Sequence, residues 1–148
     1  MPRPIRNKLT AIPAIERATH AVSLFLGTRP DFNVSQAEAH VLTFLHIHGP
    51  SRINEIHDAF GHRRSTLTSV LDRLEKRRLL KRSIDPSNRR SVVVSLSGNG
   101  VKLAQSVYRT LESLEREALT GISADDLLAV ERVAAALATH AIQRSRPN

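Results

Sequence analysis

Two stretches decide the fold: RSTLTSVLDRLEKR (64–77) and, soon after it, DPSNRRSVVVSL (85–96). In the first, Leu67, Val70, Leu71 and Leu74 recur at i, i+3, i+4 and i+7, one buried stripe of an amphipathic helix. The opposite face offers Ser65, Thr66, Thr68, Ser69, Asp72, Arg73 and Lys76. In the second, Asp85-Pro86-Ser87-Asn88 is dense in turn formers. Val92, Val94 and Leu96 then alternate with Val93 and Ser95 at period two. With Arg82-Ser83-Ile84 as a short first strand, this predicts a β-hairpin with Arg89-Arg90 at its tip. A docking helix with a hydroxyl-rich, cationic outer face, followed at once by a hairpin, predicts a winged helix-turn-helix.

The flanking sequence supplies the remaining helices. Ser51 is expected to cap a short helix with Ile53, Ile56 and Phe60 as its apolar positions, ending at Gly61. Before it, Ser35 and Glu38 have capping-box spacing, and Val41, Leu42 and Leu45 share a face up to Gly49-Pro50. Ala14 to Leu26, with Ile15, Val22, Phe25 and Leu26, reads as a first helix stopped at Gly27. Beyond the hairpin, Ser97-Gly98-Asn99-Gly100 punctuates the chain. A long helix follows, with Leu103, Val107, Leu111, Leu114 and Ala118 on one face. Gly121 breaks it, Ser123 and Asp126 form a second expected capping box, and Val130, Val133, Leu137 and Ala141 line the last helix. The expected order is α-α-α-α-β-β-α-α, mainly α with a small β-wing. One domain is expected over 1–148, with the winged helix-turn-helix at 34–100 and dimerisation helices at 1–33 and 101–148. A lone winged helix leaves the outer apolar faces uncovered. Ile12, Ile15, Leu111, Leu114, Val130, Val133 and Leu137 are the candidate dimer interface.

Charge follows the same partition. The 148 residues carry 22 Lys+Arg and 14 Asp+Glu, a formal net charge of +8. Residues 50–91 hold eleven basic and five acidic residues, so six of the eight net charges lie there. Residues 92–148 are neutral. A basic centre between near-neutral ends points to a polyanion-binding module on a separate scaffold. The absence of cysteine excludes disulfides, a thiolate zinc site and a thiol switch. No apolar run approaches the ~20 residues that span a bilayer, and the first 17 residues lack the apolar stretch of a secretory signal. No membrane partner and a cytoplasmic location are expected.

The predicted partner is double-stranded DNA. Thr68, Ser69, Ser65 and Thr66 are small enough for the helix to enter a major groove. Arg73 and Lys76 are long enough to reach phosphate or guanine. Arg63 and Arg64 stand at the helix N-terminus, where the dipole already favours phosphate. Arg89 and Arg90 are placed to meet the adjacent minor groove, whose negative potential attracts arginine. Blander readings stand beside these. The cations can be a solvated helix face, Ser65 and Thr66 can be N-caps, and Arg77 can cap the helix C-terminus. His46 and His48 lie one residue apart, about 200° round a helix, so they cannot share an ion. Helix capping is their expected role, while His57 and His62 flank the turn. A zinc-responsive regulator using His40 near Glu38 is an alternative, as is a winged-helix module binding an acidic protein partner. No phosphate loop or catalytic motif is present, so neither an enzyme nor a resident cofactor is expected.

The residues Ser65–Glu75, Leu79-Leu80-Lys81-Arg82 and Asp85-Pro-Ser-Asn-Arg-Arg90 running into Ser91–Leu96 resemble the MarR family of transcriptional regulators. So does the Ser-x-x-Gly helix start at Ser97 and Gly100. The resemblance covers roughly Val34 to Leu103. It implies a homodimer on a pseudo-palindromic operator, released by a small ligand. It further implies that Arg90, or next Arg89, is the minor-groove arginine, and that Asp85 braces the wing through a carboxylate–guanidinium pair. Two departures stand out: Asn88 where a wing Asp is common, and Arg78 where a Gly often follows the recognition helix. A left-handed backbone at Arg78 costs ~1 kcal/mol.

Overall fold

The four apolar residues of the 64–77 stretch are all at most 2% exposed. Each is worth roughly 1.5–3 kcal/mol on burial. The computed structural model describes residues 9–61 and 63–145. His62, expected to flank the turn, lies outside them, as do residues 1–8 and 146–148. The elements in order are α1 (Ala11–Gly27), α2 (Gln36–His48), β1 (Ser51–Arg52), α3 (Ile53–Phe60), α4 (Arg64–Lys76), β2 (Leu80–Asp85), β3 (Asn88–Leu96), α5 (Gly98–Ala118) and α6 (Ala124–Arg144). They fall into two compact units, one of residues 29–121 and one pairing the segments up to 28 and from 122. The expected winged helix is therefore joined by α5, which had been assigned to the dimerisation helices. Ala104 and Val107 of α5 are fully buried, and Ala104 belongs to the same core cluster as α2 and α4.

The 29–121 unit is built on Val41, Leu42 and Leu45 of α2, Ile56 of α3, the α4 stripe, Leu79 and Leu80, Val94 of β3 and Ala104. The three strands form an antiparallel sheet in the order β1-β3-β2. β1 is absent from the expected order. It has two residues, too few to show a period, and exists only because Ser51 and Arg52 pair with Val94 and Val93. Ser51 is accordingly a strand residue and not the cap of α3, and its Oγ donates to the Gly49 carbonyl at 3.0 Å. Arg52 occupies the cap position, with its backbone N–H donating to Glu55 Oε2 at 2.6 Å. The capping box at Ser35 and Glu38 is complete, at 3.2 and 2.8 Å. At Ser123 only half forms: Asp126 N–H donates to the Ser123 hydroxyl, but the shorter Asp126 carboxylate receives that hydroxyl instead of the backbone N–H.

Two backbone positions carry the turns around α4. Arg78 has φ 58, the left-handed geometry its place in the sequence suggested. Its N–H donates to Glu75 O and the Leu79 N–H to Leu74 O, the paired bonds that end a helix through a left-handed residue. The Ser97-Gly98-Asn99-Gly100 segment opens α5 as the Ser-x-x-Gly spacing suggested, with Ser97 Oγ accepting from the Gly100 N–H at 3.0 Å. Gly100 is obligatory for a packing reason. A Cβ there would sit 1.9 Å from the Leu79 carbonyl oxygen, a backbone atom that itself accepts from the Ser97 N–H. Gly100→Ala is expected to lose about 1–3 kcal/mol of stability by overpacking, seen as a melting temperature lower by roughly 3–10 °C.

In the other unit, α1 runs Ala11–Gly27 and begins three residues before the expected start, so Pro13 falls in its first turn, where no intrahelical N–H is needed. α6 contains no buried residue.

Candidate nucleic-acid interface

With Leu67, Val70, Leu71 and Leu74 turned into the core, Arg64, Ser65, Thr66, Thr68, Ser69, Asp72, Arg73 and Lys76 are all exposed on α4. Ser65 and Thr66 are not caps: the N-cap is Arg63, which makes no side-chain capping bond. Thr68 Oγ1 donates to Arg64 O at 2.8 Å and Ser69 Oγ to Ser65 O at 3.0 Å. Their hydrogens are thus spent on their own helix, leaving oxygen lone pairs as acceptors on this face.

The tertiary structure sorts the basic residues into two groups. Arg73 Nε donates to Glu38 Oε1 at 3.2 Å, and Arg77 Nη1 lies 3.7 Å from Glu38 Oε2. The carboxylate that closes the α2 capping box thereby ties α2 to the end of α4. Arg77 also donates to the Phe32 carbonyl at 3.3 Å, so from its expected place at the C-cap of α4 it also serves the loop before α2. Arg82, on β2, bonds Asp72 at 2.7 Å and also Glu75, neutralising both acids of α4. Arg52 pairs with Asp85. In contrast Arg63, Arg64, Lys76, Arg89 and Arg90 are exposed and make no ion pair among the described residues. Of the expected contacts, Arg73 is the one already engaged by an internal carboxylate.

The wing differs in detail from the expected hairpin. β2 reaches back to Leu80, the turn is Pro86-Ser87, and the register shifts between Ile84 and Asp85. Ile84 pairs with Val92 while Asp85 pairs with Asn88, so Arg89, Arg90 and Ser91 form the long side of a bulge. Arg89 and Arg90 are therefore presented by β3 beside the turn and not at its tip. Asn88 Oδ1 accepts the Arg90 N–H at 3.1 Å, a local brace where an ion-pairing Asp was noted as missing.

Asp85 does brace the wing. Its carboxylate, 6% exposed, accepts the Ser87 hydroxyl at 2.7 Å, the Ser87 N–H at 2.9 Å and Arg52 Nε at 2.6 Å. The Ser87 bonds, then Arg52, hold its pKa down from 3.8 to about 2 against the opposing effect of desolvation. A depressed carboxylate pKa contributes stability that is present above the unfolded value and is lost as pH falls through the folded value. Asp85→Asn is thus expected to melt below the parent near pH 7, with the difference closing between about pH 4 and pH 2. Arg52 and Ser87 were not foreseen as site residues, since Arg52 lies 33 positions away and meets Asp85 only through the β1 pairing.

His46 and His48 stand in the last turn of α2, and each has a ring neighbour: His46 lies 5.1 Å from Tyr108 and His48 4.5 Å from Phe44. His40 stacks on Phe60 at 5.7 Å. Glu38, its suggested zinc partner, is bonded to Ser35 and Arg73. Of the interface candidates, Leu111 and Leu114 are half-buried on α5, and Leu111 lines a groove of about 320 Å³ with Thr43, Ile47, Tyr108, Glu112 and Glu115. Val130 (61%), Val133 (44%), Ile12 (41%) and Ile15 (37%) are exposed, and Leu137 is half-buried.

Comparison with known proteins agrees with this architecture. Residues 34–92 match the MarR family model. The chain is 37% identical over 93 residues to the HTH-type transcriptional regulator YfiV of Bacillus subtilis, covering 57% of this chain and 58% of the relative. It is 28% identical over 89 residues to the HTH-type transcriptional repressor NicR of Pseudomonas putida, covering 60% and 56%. The matches thus span less than three fifths of these relatives' length. Among solved structures, Staphylococcus aureus MepR in its DNA-binding conformation has a TM-score of 0.77 at 18% identity, over 89% of this chain and 98% of that one. BpsR of Bordetella bronchiseptica, described with regulation of its DNA binding by 6-hydroxynicotinic acid, has a TM-score of 0.65 at 25% identity, over 86% and 98%. No helix among the described residues is long and apolar enough to cross a membrane. The matched segment, residues 34–92, holds the docking helix and the wing, and over it the chain is similar to the MarR family.

Proposed function

We propose that this protein is a sequence-specific, double-stranded-DNA-binding transcriptional regulator, a ligand-responsive repressor acting as a cytoplasmic homodimer on a pseudo-palindromic operator. One observation carries the reading. The winged helix spends four arginines on its own carboxylates, yet leaves Arg63, Arg64, Lys76, Arg89 and Arg90 exposed and unpaired on α4 and the wing. Unpaired cations flanking a hydroxyl-lined helix suit phosphate and base edges, whereas a protein-docking face would expose aromatic or aliphatic anchors.

α4 is the element for the major groove and the bulge arginines for the minor groove. α1 and α6, which keep Ile12, Ile15, Val130 and Val133 exposed in the single chain, are the dimer helices that set two copies of α4 about one DNA turn, ~34 Å, apart. Effector control is supported by the ligand-regulated relatives and by a groove beside Tyr108 large enough for a small molecule.

A mobility shift against pooled duplexes tests the reading. Neutralising ~4–8 phosphates per dimer gives a log–log salt slope of about −4 to −7. A flat slope, or no shift at all, rejects DNA as the partner.

A further inference from the structure

The geometry points to a second DNA contact, separate from α4: a seat for a backbone phosphate at the root of the wing, formed by Arg52 and Asn54 and bordered by Arg90. It rests on the DNA-binding reading and adds a site to it.

The register shift at Ile84/Asp85 pushes Arg90 and Ser91 out of the β2 ladder, while β1 still holds the neighbouring Val93 and Val94. A cleft of about 210 Å³ results between β3 and the start of α3, lined by Arg52, Ile53, Asn54, Arg90, Ser91 and Val92. Each of its polar side chains can donate, and Arg52 and Arg90 add positive charge. Arg52 uses its Nε on Asp85 and one Nη2 hydrogen on Ser87, at 2.6 and 3.3 Å. Three of the five guanidinium hydrogens remain, on a fork already fixed in place and so with less entropy to lose on binding. Arg90 adds a positive charge with no acid paired to it among the described residues. Asn54 is exposed in the first turn of α3. The nearest acids are occupied: Asp85 by Ser87 and Arg52, and Glu55 by the Arg52 backbone N–H. Two guanidinium charges with no unengaged carboxylate in the cleft lining favour an anionic phosphate over an uncharged base edge. Such a contact sets register on the duplex without reading its sequence.

Asn54→Asp tests the seat. A carboxylate in the first turn suits the α3 dipole, so the fold is expected to persist with an unchanged melting temperature. Affinity for chosen and random duplexes alike is expected to fall roughly tenfold, the ranking of sequences is kept, and the salt slope shrinks by about one per protomer. Arg52→Lys, which keeps the charge but loses the fork, is expected to weaken binding in the same sequence-independent way. If the parent binds duplex and Asn54→Asp binds with parental affinity and slope, the seat is overturned and the DNA reading stands. If the parent binds no duplex, the DNA reading fails first. An amide-shift titration separates the sources of phosphate: perturbation of Arg52 and Asn54 by duplex supports the seat. Perturbation by millimolar inorganic phosphate but not by duplex overturns it.

Discussion

Val130→Asp with Val133→Asp is expected to yield a folded monomer that no longer retains operator DNA. The two valines lie three residues apart on α6, hence on one face, and are 61% and 44% exposed in the single chain. α6 contains no buried residue, yet it also carries Leu127, Leu128 and Ile142 as exposed apolar side chains. On the proposed reading, a second copy covers this helix. In a two-fold interface each substitution counts twice, so four carboxylates would have to be desolvated, at several kcal/mol each. The unit of residues 29–121 has its own core and keeps its helical signal. Light scattering should read twice the chain mass of 16.4 kDa for the parent and that mass for the variant. Loss of DNA retention follows because each half-site alone supplies only part of the contacts. A variant that stays dimeric rejects α6 as the interface.

The second large effect is expected from Arg90→Ala. Arg90 is exposed on the bulge of β3, its backbone N–H fixed by Asn88 and its side chain in no ion pair among the described residues. Its loss therefore removes DNA contacts and leaves the fold intact. At ~1–3 kcal/mol per lost contact and two copies per dimer, operator affinity should drop by about 30-fold or more. Titration of a labelled operator at fixed salt, alongside thermal melts, checks this. Equal affinity for variant and parent would remove Arg90 from the interface. Arg82→Ala offers a contrast: it frees Asp72 and Glu75 on the DNA side of α4, so it weakens binding through repulsion without having touched DNA.

How far the sequence could be read depended on the separation of interacting residues. The α4 stripe, the Ser35–Glu38 box and the alternation of Val92, Val94 and Leu96 are short-range patterns. Each was legible because period and capping are set within one or two turns. The wing arginines were legible as a pair, but not their placement. The alternation at 92–96 is the same with or without a bulge at Ile84/Asp85, so nothing local marks the shift. The ring contact of His46 with Tyr108 was not legible, because Tyr108 comes from a different helix.

By itself, then, the sequence determined the winged helix and the concentration of positive charge on it. Periodicity, composition and turn chemistry are properties of neighbours along the chain. Only the tertiary structure decided which of the clustered cations are available. Arg73 meets Glu38, Arg52 meets Asp85 and Arg77 meets Phe32 across separations of 35, 33 and 45 residues. Those encounters arise from docking α4 on α2 and from a two-residue strand pairing with β3. No pattern along the chain encodes whether a carboxylate will stand beside a given arginine. That contact withholds some of the positive charges from a ligand and leaves the others to it.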